Sequence, residues 1–230
     1  MKTIRELKPG AACNEVLLTF DVDWAPDEVV TYCIELLRSH GARATFFATH
    51  NSPLLQDLSV SSDIEIGIHP NYFHCTEFAR LVDGLLAWYP NATSIRGHGL
   101  YTSSNIQAMY EAKGLTHCVD TILPYHPQLQ PVYLFATGGL ISVPYFWEDG
   151  HVLHHVAQPK YRLDLAAYPP GLKIFNFHPI HVFCNTPNYQ FYEQHIRPVY
   201  KDVNALRNLR QELGAETMLR SILGGSRNNH

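Results

Sequence analysis

The chain has 230 residues, 46% hydrophobic and 17% charged, the profile of a globular protein long enough for one well-buried domain. Its formal charge of -4, with Lys and Arg scattered, excludes the basic footprint of a nucleic-acid-binding protein. No run reaches the ~20 apolar residues that cross a bilayer, so membrane insertion is not expected.

Met1 to Gly10 is polar and lacks the charged-then-apolar order of a signal peptide. Val16 to Phe20 predicts a buried strand. Pro26 then opens a helix whose apolar positions Val29, Val30, Cys33, Ile34 and Leu37 share a face up to Gly41. Ala44–Ala48 and Ile64–Ile68 read as the next strands, and Phe78–Trp88 as a helix stopped by Pro90. Ser94–Arg96 is a short strand, and a helix near Asn105–Lys113 is closed by Gly114. The Pro- and Gly-rich stretch 124–144 reads as a long excursion, with Ile141–Trp147 and Lys173–Phe177 as further strands. Val203–Leu223 predicts a helix that Gly214 can interrupt, and residues 224–230 a disordered tail. With no repeat, linker or composition break, a single α/β domain over residues 1–223 is expected. Strand–helix alternation implies a parallel sheet with right-handed crossovers, and the strand count favours a closed or distorted barrel. Five dispersed cysteines without a C-x-x-C fit reduced thiols in a cytoplasm.

In such a barrel, chemistry belongs at the carboxyl ends of the strands. Those ends carry Asp21 and Asp23; His69; Arg96 and His98; Trp147, Glu148 and Asp149; and His178 and His181. Residues i and i+2 of a strand point to one side, so Asp21 and Asp23 aim together, and like charges that close call for a cation, a shared proton or a general-base role. Pro70 biases His69 toward an extended conformation at its strand tip. A carboxylate with imidazoles suits zinc or a related divalent first-row ion, with cobalt, nickel and iron as alternatives. Such an ion makes hydroxide available at neutral pH. Asp21 can then take the proton from that water, and His178 can protonate a leaving group from the opposite side.

The ordered set resembles the polysaccharide deacetylases (NodB-type, carbohydrate esterase family 4). Thr19-Phe20-Asp21-Val22-Asp23 stands for the first motif, T-F-D-D-G. His69-Pro70-Asn71-Tyr72-Phe73-His74 stands for the second, H-[ST]-x-x-H, and Arg96-Gly97-His98 for the third, R-x-P. Trp147-Glu148-Asp149 and Phe175-Asn176-Phe177-His178-Pro179 stand for the fourth and fifth, and Thr45-Phe46-Phe47 matches the strand after the first helix. Within the family the chain is most similar to short intracellular deacetylase-like proteins of bacterial surface-polysaccharide synthesis. The resemblance implies a deformed (β/α)7 barrel and metal-dependent removal of acetyl groups from an amino-sugar-containing glycan or precursor. It implies Asp21 as general base, His178 as general acid, and Asp23 and His69 as ligands of one divalent metal. Arg96 would orient the base with support from Asp149, and Trp147 would line the sugar groove. His181 is either substrate-facing or behind the reacting groups.

The third ligand stays open between two histidines. His74 lies five residues after His69, off the face that i+4 would share, and could join only from a loop. His98 follows the neighbouring strand on the side of Arg96, ~4.8 Å across, and is favoured. His151, His154 and His155 read as a solvated cluster. Two other readings remain: a hydrolase of another C–N bond, such as a small cyclic amide, and a catalytically silent glycan-binding relative.

Overall fold

A computed structural model describes residues 1–10, 12–134 and 139–225. The strands are β1 (Val16–Asp21), β2 (Ala44–Ala48), β3 (Ile64–Ile68), β4 (Ser94–Ile95), β5 (His117–Cys118), β6 (Val132–Tyr133), β7 (Ile141–Ser142), β8 (Trp147–Glu148) and β9 (Lys173–Phe177). Among the described residues they form one nine-stranded sheet in the order β6-β7-β5-β4-β3-β2-β1-β9-β8, parallel except for β6 against β7. The segment between β7 and β8 joins the two ends. Val143 and Tyr145 N–H bond to Cys118 and Thr121 C=O on one side, and Phe146 N–H bonds to Ile174 C=O on the other. Residues 141–148 therefore act as one kinked stave, interrupted at Pro144, where a strand was expected over Ile141–Trp147. With β1 to β5 and β9 it makes the seven staves of a deformed (β/α)7 barrel.

Helices α1 (Asp27–Ser39), α2 (Pro53–Leu58), α3 (Phe78–Trp88), α4 (Ser104–Ala112), α5 (Asp149–His155), α6 (Pro179–Cys184), α7 (Tyr189–Phe191), α8 (Val203–Arg207) and α9 (Ala215–Gly225) surround the sheet. Their starts follow from local chemistry. Asp27 and Glu28 sit in the first turn of α1, where the helix dipole favours negative charge. Ser52 accepts from Leu55 N–H at 3.2 Å, with Pro53 in the first turn of α2. The helix expected over Val203–Leu223 is two, α8 and α9, with Gly214 between them. At Gly214 an added Cβ would lie 2.0 Å from the Asn185 carbonyl oxygen. Residues 224 and 225, expected in the tail, belong to α9; residues 226–230 lie outside the described residues, as do 135–138 of the 124–144 excursion. Among the described residues, no helix is long and apolar enough to cross a membrane.

Period-two alternation sorts the strand residues. Phe20, Phe46 and Phe177 lie on one side, with the Phe20 and Phe46 rings stacked at 4.5 Å. Thr19, Asp21, Thr45, Phe47, Glu65, Gly67 and Asn176 take the other, interior side. The first residues of the chain close the floor. Ile4 N–H bonds to Thr45 Oγ1 at 3.1 Å, Arg5 N–H to Glu65 Oε2 at 3.0 Å, and Ile4 and Leu7 are buried.

Candidate metal and catalytic site

The strand ends converge on one rim. Ladder bonds persist beyond the strands: His69 N–H to Ala48 C=O at 2.8 Å, Arg96 N–H to Ile68 C=O at 3.1 Å, and His98 N–H to Pro70 C=O at 2.9 Å. That continuity sets His98 beside His69 on the inner side. After β1 the chain turns sharply, with Asp23 at φ 44° and Trp24 at φ 59°. Each left-handed non-glycine residue costs ~1–2 kcal/mol, so this backbone is held rather than relaxed.

Asp21 and Asp23 have different surroundings. Asp21 accepts from Arg96 Nη1 at 2.8 Å and from Asn176 Nδ2 at 2.8 Å. Arg96 is fully buried, with Phe47 and Tyr145 rings each 4.5 Å from its guanidinium carbon, and it also bonds Asn176 Oδ1. Gly67 makes room for this stack, because a Cβ there would lie 2.7 Å from the Phe47 ring. Burial opposes charge on Asp21, but Arg96, followed by His69 and His178, holds its pKa below the ordinary carboxylate value.

Asp23 instead meets imidazoles. Its Oδ1 lies 3.3 Å from His69 Nε2 and 3.2 Å from His98 Nδ1, and its Oδ2 lies 3.5 Å from His178 Nε2. His69 Nδ1 is 2.6 Å from the Arg96 carbonyl, which can only accept, so in the neutral ring that nitrogen carries the proton and Nε2 presents a lone pair. Asp23 Oδ1 is buried without a conventional hydrogen-bond partner. Asp23, His69 and His98 each offer one donor atom, all within 4.8 Å of one another. Lone pairs converging on a buried point fit a divalent cation of the zinc type. Burial opposes charge on both Asp23 and His69, but His69, then His98 and His178, hold Asp23 well below its usual pKa, and Asp21, then Asp23, raise His69 above its own.

His178 stands on the far side of Asp23. Its Nδ1 lies 2.7 Å from Asp149 Oδ1, and its backbone N–H bonds Asp149 Oδ2 at 2.8 Å. Burial disfavours the imidazolium, but the fully buried Asp149 overrides it and raises the His178 pKa well above the usual value. Asp149 thus orients His178 rather than supporting Arg96. His181 is buried against His178 and Tyr192, and burial followed by the His178 charge keeps its pKa well below normal. A cleft of ≈ 360 Å³ opens here, lined by Asp23, His178, His181, Tyr189, Tyr192 and Tyr200 among others.

Three expectations need restating. Trp147 is 1% exposed and packs on Phe175 and Phe177, so it belongs to the core and does not line an open groove. His74 is exposed, with φ 61°, and stands outside the triad. His151 and His155 do share a face of α5, with ring centroids 4.7 Å apart, but they complete no group of three donors among the described residues. Asn176 was missed, although a lone amide inside Lys173–Phe177 was the available signal, since a polar side chain in a buried strand needs partners.

The family model described as WbmS-like polysaccharide deacetylase matches residues 18–196. The chain belongs to this family. A WbmS-like relative of known structure is WbmS of Bordetella bronchiseptica, assigned as a polysaccharide deacetylase involved in O-antigen biosynthesis. It is 32% identical, with 92% of this chain and 90% of that chain covered at a TM-score of 0.85. A family 4 carbohydrate esterase from Streptomyces lividans, in complex with acetate, aligns at 15% identity over 94% and 91% of the two chains, TM-score 0.48. A polysaccharide deacetylase assignment from Mycobacterium smegmatis aligns at 14% over 97% and 96%, TM-score 0.48. A comparison with curated proteins gives no match. Within the WbmS-like family, this chain carries its acidic and histidine residues at the rim of the expected deformed barrel.

Proposed function

We propose that the protein is a metal-dependent deacetylase that hydrolyses an N-acetyl group on an amino sugar in a glycan or glycan precursor. One observation carries this reading: a partnerless, buried Asp23 Oδ1 faces two imidazole nitrogens, between a buried carboxylate on one side and a histidine–carboxylate pair on the other. Asp23, His69 and His98 would hold one divalent ion, zinc first among the candidates, and the ion would supply Lewis acidity toward water and the acetyl carbonyl.

The protein's own groups divide the proton work. Asp21, kept ionised by Arg96, receives the proton of the attacking water. His178, kept protonated by Asp149, delivers a proton from Nε2 to the departing sugar nitrogen. Asn176 and Arg96 fix both oxygens of Asp21, so its lone pairs are presented in one orientation. The tyrosines and His181 of the cleft receive the sugar. Support for a cytoplasmic setting comes from five free cysteines, three of them buried. The test is acetate release from N-acetylated amino-sugar oligosaccharides by zinc-loaded protein. General acid–base groups contribute ~10²–10⁴-fold, so Asp21→Asn should retain zinc and lose about that much turnover. Unchanged turnover in Asp21→Asn and in His178→Ala would sink the mechanism.

A further inference from the structure

The backbone that aims Asp23 adopts a conformation its own residues do not favour. Val22 N–H still pairs with Phe47 C=O at 3.1 Å, and Ala25 N–H returns to Val22 C=O at 2.9 Å. Between them Asp23 and Trp24 both have positive φ, as in the primed turns whose central positions normally hold Asn and Gly. Asp visits this region at modest cost; Trp has no local reason to do so. Three hydrogen bonds from outside the turn hold it. Trp24 N–H bonds Thr49 Oγ1 at 2.9 Å, Tyr200 Oη donates to Asp23 C=O at 2.8 Å, and Lys201 Nζ donates to Trp24 C=O. The held Trp24 ring packs edge-on to the His98 ring, with centroids 5.4 Å apart. Tyr200 also lines the cleft beside His178. Both gripping residues lie beyond residue 196, where the family match ends.

We propose that Tyr200 and Lys201 are positioning residues for the metal ligands. By gripping consecutive carbonyls they keep the Asp23–Trp24 turn left-handed, which fixes the Asp23 carboxylate between His69 and His98. The inference rests on the metal-site reading above and adds that the site is built partly by a segment bearing no ligand.

The experiment uses full-length, metal-free protein titrated with Co²⁺ alone, whose visible spectrum reports ligand geometry. Partners behind metal ligands typically change affinity 10–100-fold. Tyr200→Phe is expected to weaken Co²⁺ binding about 10-fold and alter the spectrum, while the metal-free melting temperature stays within about 2 °C. Lys201→Met, at an exposed side chain, should act in the same direction and carries the test if Tyr200→Phe folds poorly. Glycine tolerates positive φ, so in a Trp24→Gly background the penalty of Tyr200→Phe should shrink several-fold. Parent affinity and spectrum in both single variants would overturn the clamp. So would an undiminished penalty in the glycine background, which would assign Tyr200 to ordinary packing. A parent that binds no Co²⁺ would instead overturn the metal-site reading itself.

Discussion

Two aspartates separated by one residue acquire opposite roles from their neighbours. Asp21 is matched by a guanidinium and an amide, whereas Asp23 meets the ring nitrogens of His69 and His98. Asp23→Ala, His69→Ala and His98→Ala should each strip zinc, whereas His74→Ala should leave stoichiometry unchanged by metal analysis. Zinc loss in His74→Ala alone would move the third ligand to the exposed loop. Asp120, bonded to the backbone next to His98, provides a prediction for a group that is not itself a proposed ligand. Burial raises its pKa to about 6, against a lowering hydrogen bond from Gly97 N–H at 2.7 Å. The folded state therefore binds a proton that the unfolded chain releases near pH 4, so this group's contribution to stability falls as pH rises from about 4 to about 6 and then levels. Asp120→Asn should remove up to about 2 kcal/mol of that pH dependence between pH 4.5 and 7.5, read from urea unfolding at the two values. Identical pH profiles for the two proteins would refute it. At this scale the ligand-type residues were legible because charge at the end of an apolar strand has few alternatives. Trp147 was misread because a large aromatic ring at a strand end serves the core as readily as a cleft, and sequence does not distinguish the two faces.

Elements long enough to show a period were legible, and among the short ones β4 was read but several others were not. β1, β2, β3, α1 and α3 carry continuous apolar runs or helical spacing, and their bounds match closely. β5 and β6 have two residues each, and α2 and α6 six each, too few for periodicity to emerge. Ile141–Trp147 was read as one strand because its residues are mostly apolar, whereas Pro144 and a change of hydrogen-bonding partner divide it. Gly67 gives β3 a role beyond carrying His69. Its missing side chain lets Phe47 lie against Arg96, so Gly67→Ala must displace an aromatic ring or a buried cation. Overpacking of this kind costs about 1–3 kcal/mol. Thermal unfolding should show the loss, and acetate release should fall with it as Arg96 shifts from Asp21. A variant with parental melting temperature and rate would show that the ring moves freely.

For the molecule as a whole, floor and rim are separate constructions. Glu65 is 2% exposed and is satisfied by Arg5 N–H, Thr45 Oγ1 and Ser94 Oγ rather than by a cation. Deleting residues 1–7 would remove buried Ile4 and Leu7 and one of these donors. Two large buried side chains and a lost donor amount to several kcal/mol, or roughly 10 °C in melting temperature at this size. Differential scanning calorimetry checks this, and a change below 2 °C would show that the floor closes without the plug. The rim imposes a constraint of another kind, one of timing. Tyr200 and Lys201 grip carbonyls 177 residues upstream. A ribosome adding ~5–20 residues per second spends roughly 10–35 s making that stretch, during which the Asp23 turn exists without its grip. In a nascent chain halted before Tyr200, of the three bonds on the Asp23–Trp24 turn only that from Thr49 can form, so on the metal-site reading tight capture of an ion is expected only after Tyr200 and Lys201 have been made.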